Sequence, residues 1–168
     1  MNTLPEILAA RKNIIVDKWA EAILSTYPHE SLKFLSSQKD RFANPIGHAV
    51  RSSSEKLFDE LVHGNDVEKI RASLDDFLRM RAVQDFAPSE AVGFVFMLKR
   101  VLREITAQEM TGKVQASFQD ELLNFESRID SMALVAIDLY MEAREKLSRI
   151  RIDEVKARSL LALSERQS

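Results

Sequence analysis

A chain of 168 residues that is 45% hydrophobic and 30% charged is long enough to bury one core and too apolar to stay disordered. A formal net charge of -2 gives no general electrostatic pull toward nucleic acid or an anionic membrane. The absence of cysteine excludes disulfides, thiolate metal sites and thiol nucleophiles.

Only four glycines and four prolines punctuate the chain, and its apolar positions recur every three or four residues rather than every two. An all-α fold is expected. The first helix is read over residues 4–27. Thr3 and Glu6 have capping-box spacing, and Pro5 falls in the first turn. Leu4, Ile7, Leu8, Ile14, Ile15, Trp19, Ile23 and Leu24 form a stripe that stops at Tyr27-Pro28. A short helix is expected around Ser31 to Ser36. Asn44 then serves as N-cap and Pro45 as first residue of a helix running to His63, with Gly64 as its C-terminal cap. Asn65 and Glu68 repeat the capping-box spacing, and Val67, Ile70, Leu74, Phe77, Leu78 and Val83 carry the next helix to Phe86. Pro88 stops that helix, and Pro88-Ser89-Glu90 opens another that runs to about Gln108. Its Ala91, Val92, Phe94, Val95, Phe96, Leu98, Val101, Leu102 and Ile105 cover more than one face, so this is expected to be the central buried helix.

After a break at Thr111-Gly112, residues 114–164 hold neither Gly nor Pro and read as one helix of roughly 50 residues and 75 Å. A heptad places Ile129, Ala136, Ala143, Ile150, Ala157 and Ser164 at one seam position, and Ala133, Tyr140, Leu147, Glu154 and Leu161 at the other. Such a seam asks for a partner helix, so a parallel homodimer is expected, with Ala136, Tyr140, Ala143, Leu147 and Ile150 at its interface. The other reading is an amphipathic helix folded back on its own core. The chain divides on this basis into a helical domain over residues 1–143 and a coiled-coil extension over 144–168, whose alternating charges suit a solvated flank.

A search for chemistry finds little. His29, His48 and His63 are the histidines, and none pairs with another at metal-binding spacing. No Gly-rich loop precedes a helix, no serine has a credible base, and Asp75, Asp76, Asp85 and Glu90 fall on polar faces or at caps. Neither an enzyme nor a metal site is expected. A comparison with globins finds no histidine between Gly64 and Phe86 to hold haem from the proximal side, which leaves His48 as the one haem-ligand candidate. Phe42, His48, Phe94 and Met97 are the candidates for lining a small apolar pocket, although helical spacing makes the last two core positions first. No basic leader opens the chain, and its longest near-apolar run, Ala91 to Leu98, falls short of the roughly 20 residues of a membrane span. Membrane insertion is not expected, and the cytoplasm is the default location.

Asp40-Arg-Phe-Ala-Asn-Pro-Ile-Gly47 and the stretch from Ile70 through Arg81-Ala-Val-Gln-Asp-Phe-Ala-Pro-Ser89 to Lys99, together with Trp19 and Tyr27-Pro28, resemble one known family. It is the N-terminal domain of RsbRD-type proteins, the co-antagonists of bacterial stress signalling, and the match spans roughly residues 10 to 140. The resemblance implies a globin-like all-α domain without haem, dimeric through its last two helices and placed upstream of an output such as a STAS domain or a histidine kinase. This sequence holds neither output. The resemblance therefore suggests a homodimeric sensory or regulatory module that passes a cue through its C-terminal helix to a separate STAS protein, kinase or larger assembly. The alternative is a carrier of a small apolar ligand or cofactor, haem included, in a globin-like pocket.

Overall fold

In the computed structural model, which describes residues 3–27, 45–64, 66–109 and 116–165, every regular element is helical. Helix α1 spans Leu4–Leu24 and opens as its first residues predict: the Glu6 carboxylate accepts the Thr3 N–H at 2.8 Å. Its N-terminus also meets Glu121, which accepts the Leu4 N–H at 3.0 Å. Such a carboxylate satisfies an orphan donor and suits the positive end of the helix dipole. The helix stops three residues short of the expected Tyr27, because Ser25 and Thr26 turn their hydroxyls back onto the Ala22 and Ile23 carbonyls. Leu4, Ile7, Leu8, Ile15, Val16, Trp19, Ala20 and Ile23 are buried, whereas Ile14 lies off this face and is exposed.

Helix α2, Pro45–Asp59, continues into a widened π turn over Glu60–Gly64. A π turn leaves carbonyls without their usual helical donors, and Arg128 supplies one to Leu61 at 3.0 Å. Gly64 is not in the left-handed conformation expected of a cap glycine. It gives room instead, since a Cβ there would stand 2.5 Å from the Glu60 carboxylate. Helix α3, Val67–Val83, is capped by Asp66, which accepts the Glu68 and Lys69 N–H groups. The cap thus lies one residue later than expected, and Asn65 itself is outside the described residues. Val67 and Val83 are exposed at the two ends of this helix.

Helix α4, Pro88–Glu109, crosses the interior, with Ala91, Val92, Phe94, Val95, Leu98, Val101, Leu102 and Ile105 buried. Phe96 departs from the expected core: it is 49% exposed, because two residues beyond Phe94 a helix has turned about 200° to its far side. Helix α5, Ala116–Glu165, runs antiparallel to α4 along ion pairs from Arg103 to Glu126 and from Lys99 to Asp130, both at 2.6 Å. It also packs on α3, while α1 packs on α2 and α4. The inner face of α5 buries Phe118, Phe125, Ile129, Met132, Ala133, Ala136, Leu139 and Tyr140, and leans Ala143 and Leu147 against the same core. From Ser148 to Leu163 every side chain is exposed. The last 18 residues of α5, about 27 Å at 1.5 Å each, therefore extend past the bundle.

Candidate functional site

Arg81 stands on the core face of α3, where the series Ile70, Leu74, Phe77, Leu78 calls for an apolar side chain, and it is fully buried. Burying a charge is costly unless it is paired and hydrogen-bonded. Four aromatic rings enclose the guanidinium, those of Phe77, Phe86, Tyr27 and Phe94, with centroids 4.7, 4.8, 5.3 and 5.3 Å from its central carbon. Ring faces replace part of the lost hydration. Nη1 donates to the Glu90 carbonyl at 2.8 Å and more distantly to that of Ala91, and Nη2 donates to the Thr26 hydroxyl at 2.9 Å. Burial pulls the guanidinium below the ordinary arginine value, opposed by nearby Tyr27 and Glu90. Among the described residues Arg81 has no carboxylate ion pair, and its Nε and the buried Tyr27 hydroxyl, close enough to the guanidinium to interact with it, make no hydrogen bond of good geometry.

The cage is assembled by the α3–α4 junction. The Phe86 N–H donates to the Arg81 carbonyl and the Asp85 N–H to that of Ala82, both at 3.2 Å, which is the six-to-one and five-to-two pairing of a Schellman turn. Such a turn needs a left-handed residue, and Asp85 provides it with φ 58°. The turn's usual apolar contact is here the Phe86 ring over the Arg81 guanidinium. Glu90 then caps α4 by accepting the Ala87 N–H at 3.1 Å. Trp19 braces the far side, stacking on Phe94 at 6.2 Å and donating its indole N–H to the Phe94 carbonyl at 2.8 Å.

Helix α5 is fastened to the same junction. The Tyr140 hydroxyl donates to the Phe86 carbonyl, and burial pushes that phenol above its ordinary value. Arg144 reaches Asp85 at 2.5 Å, and Arg151, already on the extending part of the helix, lies 3.6 Å from the same carboxylate. The Arg144 hydrogen bond, with Arg151 behind it, holds the Asp85 carboxyl below the ordinary carboxylate value. An open cleft of about 650 Å³ lies over the junction, walled by Ser25, Thr26, Tyr27, Gln84, Asp85, Phe86, Ser89, Glu90, Gly93 and Met97.

The residues named for a pocket are not gathered into one. Phe94 is in the core, Met97 borders the cleft, His48 is exposed on α2, and Phe42 lies outside the described residues. Of the five seam residues, Ala136 and Tyr140 are fully enclosed by their own chain, Ala143 and Leu147 are half-buried against it, and Ile150 is exposed. Through Leu147 the seam is therefore the inner face of the bundle, the folded-back reading. Its spacing is the same whether the covering helix is the chain's own or a partner's. Arg81 was missed as a site although it showed itself as a charge in an apolar series. Among the described residues, no group of three or more acidic or histidine side chains is placed to hold a metal, and no helix is long and apolar enough to cross a membrane.

No solved structure matches the chain. A protein of Archaeoglobus fulgidus, described as uncharacterized, is 25% identical over 150 residues, covering 85% of this chain and 83% of its own length. The family described as the RsbT co-antagonist protein rsbRD N-terminal domain matches residues 14–155, from α1 into the extending part of α5 and across the whole Arg81 junction. On that match the chain belongs to the RsbRD N-terminal domain family, a membership that suggests a regulatory domain of stress signalling.

Proposed function

We propose that this protein is a non-catalytic, cytoplasmic regulatory domain that works as a homodimer and passes the state of its α3–α4 junction to a partner protein through the extending end of α5. The observation that carries this reading is the extension itself. Most helical stability in a protein comes from packing an apolar face, yet this extension leaves Ile150, Ile152, Val155, Leu160 and Leu163 largely exposed. A second copy supplies the cover. Leu123, Leu134, Ile137, Met141, Ile152, Val155 and Leu163 fall within a stripe less than about 100° wide, on the side of α5 away from the core, and the exposed Phe96 adds to the apolar surface of the last two helices. This outer stripe takes the place of the inner seam as the dimer surface. The family's signalling context supports a partner downstream, and the pairing of Asp85 with both Arg144 and Arg151 ties the junction to the root of the extension.

Sedimentation velocity across a concentration series tests the reading. A dimer is expected, converted to monomer by Ile152→Asp or Val155→Asp with the helical content of the bundle retained. A monomer at all concentrations, or a dimer indifferent to both substitutions, would remove the outer stripe and the extension from the interface.

A further inference from the structure

We infer that the cleft over the α3–α4 junction is a binding site for a small organic carboxylate, with the Arg81 guanidinium and the Tyr27 hydroxyl as its recognition groups. A guanidinium carries five N–H donors. Three hydrogen bonds are made from Nη1 and Nη2, which leaves the Nε–H and one Nη2–H. Nε and Nη2 form one of the edges by which a guanidinium donates to a planar carboxylate in a fork. The Tyr27 hydroxyl, beside the guanidinium and with no well-formed hydrogen bond of its own, keeps its O–H to donate.

The surroundings favour such a ligand. Thr26, Tyr27, Phe86 and Glu90, which touch Arg81, also wall the cleft, so the buried charge lies one side chain behind its surface. Around that wall three guanidiniums, Arg81, Arg144 and Arg151, stand against two carboxylates, Asp85 and Glu90, and both carboxylates are engaged within the chain. A buried cation without a counter-charge gains most from an anion that enters with its own apolar cover. Tyr27, Phe86 and Met97 offer that cover, Gly93 leaves open space where a Cβ would stand, and about 650 Å³ is room for a small molecule. The ligand reaches the fork when the Tyr27 or Phe86 ring swings from the guanidinium, a side-chain movement that keeps both helices in place. Its action as the cue for α5 rests on the regulatory reading above; the binding itself does not.

Trp19, the single tryptophan, stacks on Phe94, one of the four rings of the cage, and so reports on the site from within. Its emission is titrated with sodium benzoate, with sodium phosphate, and with sodium chloride at matched ionic strength. A saturable response to benzoate is expected, and Tyr27→Phe and Arg81→Lys, each checked for folding by circular dichroism, should each weaken it at least about tenfold. Arg81→Lys keeps the charge and removes the fork, and Tyr27→Phe leaves the ring and the packing, so one informative variant survives if the other fails to fold. No saturation up to tens of millimolar, a response equalled by chloride, a tighter response to phosphate, or an affinity indifferent to both variants overturns the assignment. Sedimentation with saturating benzoate separates the two readings: an unchanged dimer equilibrium overturns the cue and not the site.

Discussion

Arg81 fills space as well as carrying charge, and its substitutions separate the two. Arg81→Ala strips the bonds to Glu90 and Thr26 and empties a cage of four rings, so a loss of about 3–5 kcal/mol is expected in a urea melt. Arg81→Met refills the volume without a charge to desolvate and should recover about half of that loss or more. Equal losses would place the stabilisation in the hydrogen bonds rather than in the filling. Helix α4 offers a second pair. Leu98→Ala should cost about 2–5 kcal/mol, whereas Phe96→Ala in dilute, monomeric protein should stay within about 0.5 kcal/mol. What the sequence made legible at this scale follows the same division. A charge in the series Ile70, Leu74, Phe77, Leu78 was visible as an anomaly, but nothing local marks Phe96 as the outward residue of a helix that is apolar nearly all round. Its direction is set by where α1 and α5 pack.

At the scale of elements, the breaks that rest on chain chemistry were readable, and those that rest on competition between neighbours were not. Pro88 with Ser89 and Glu90 opens α4 where its ring and cap dictate. Asn65 and Asp66 are both good cap residue types, so residue type alone does not choose between them, and the cap in the structure is Asp66. The left-handed Asp85 had no signal comparable to a glycine, because its stabilisation comes from residues 59 and 66 positions away. That distance gives the junction a pH dependence. The folded Asp85 carboxyl titrates below its ordinary value, so its pairing with Arg144 and Arg151 is intact above the ordinary carboxylate range and is lost as pH falls through the lowered folded value. Following the Arg144 and Arg151 side-chain N–H signals by NMR from about pH 7 to about pH 3 should show both released together only below about pH 4. Asp85→Asn, which tolerates the left-handed backbone, should show the released signals at every pH. Release well above pH 4 would mean that the ion pair does not fasten the root of α5.

The length of α5 was legible as a run without Gly or Pro, and so was its apolar periodicity, but period alone does not say whose core a stripe serves. Inside the bundle the inner stripe is consumed by α3 and α4, and Ala136 and Tyr140 are closed to any partner. From Ser148 to Leu163 the side chains of the same helix are exposed, with Arg151 reaching back to Asp85, and on the dimer reading the conformation of this stretch depends on association. This separates bundle stability from tail helicity, which one experiment can read together. A chain ending at Leu147 keeps the whole buried core, so its cooperative thermal transition should survive, while sedimentation should find it at least largely monomeric. In the full chain, dilution below the dimer dissociation constant should lower the far-UV helical signal by the share of the residues beyond Leu147 and leave the near-UV signal of Trp19 and its ring partners unchanged. If truncation abolishes the thermal transition, the tail contributes to the core rather than to a partner; if dilution leaves the helical signal constant, the extension is helical without help and the argument for a covering second copy fails.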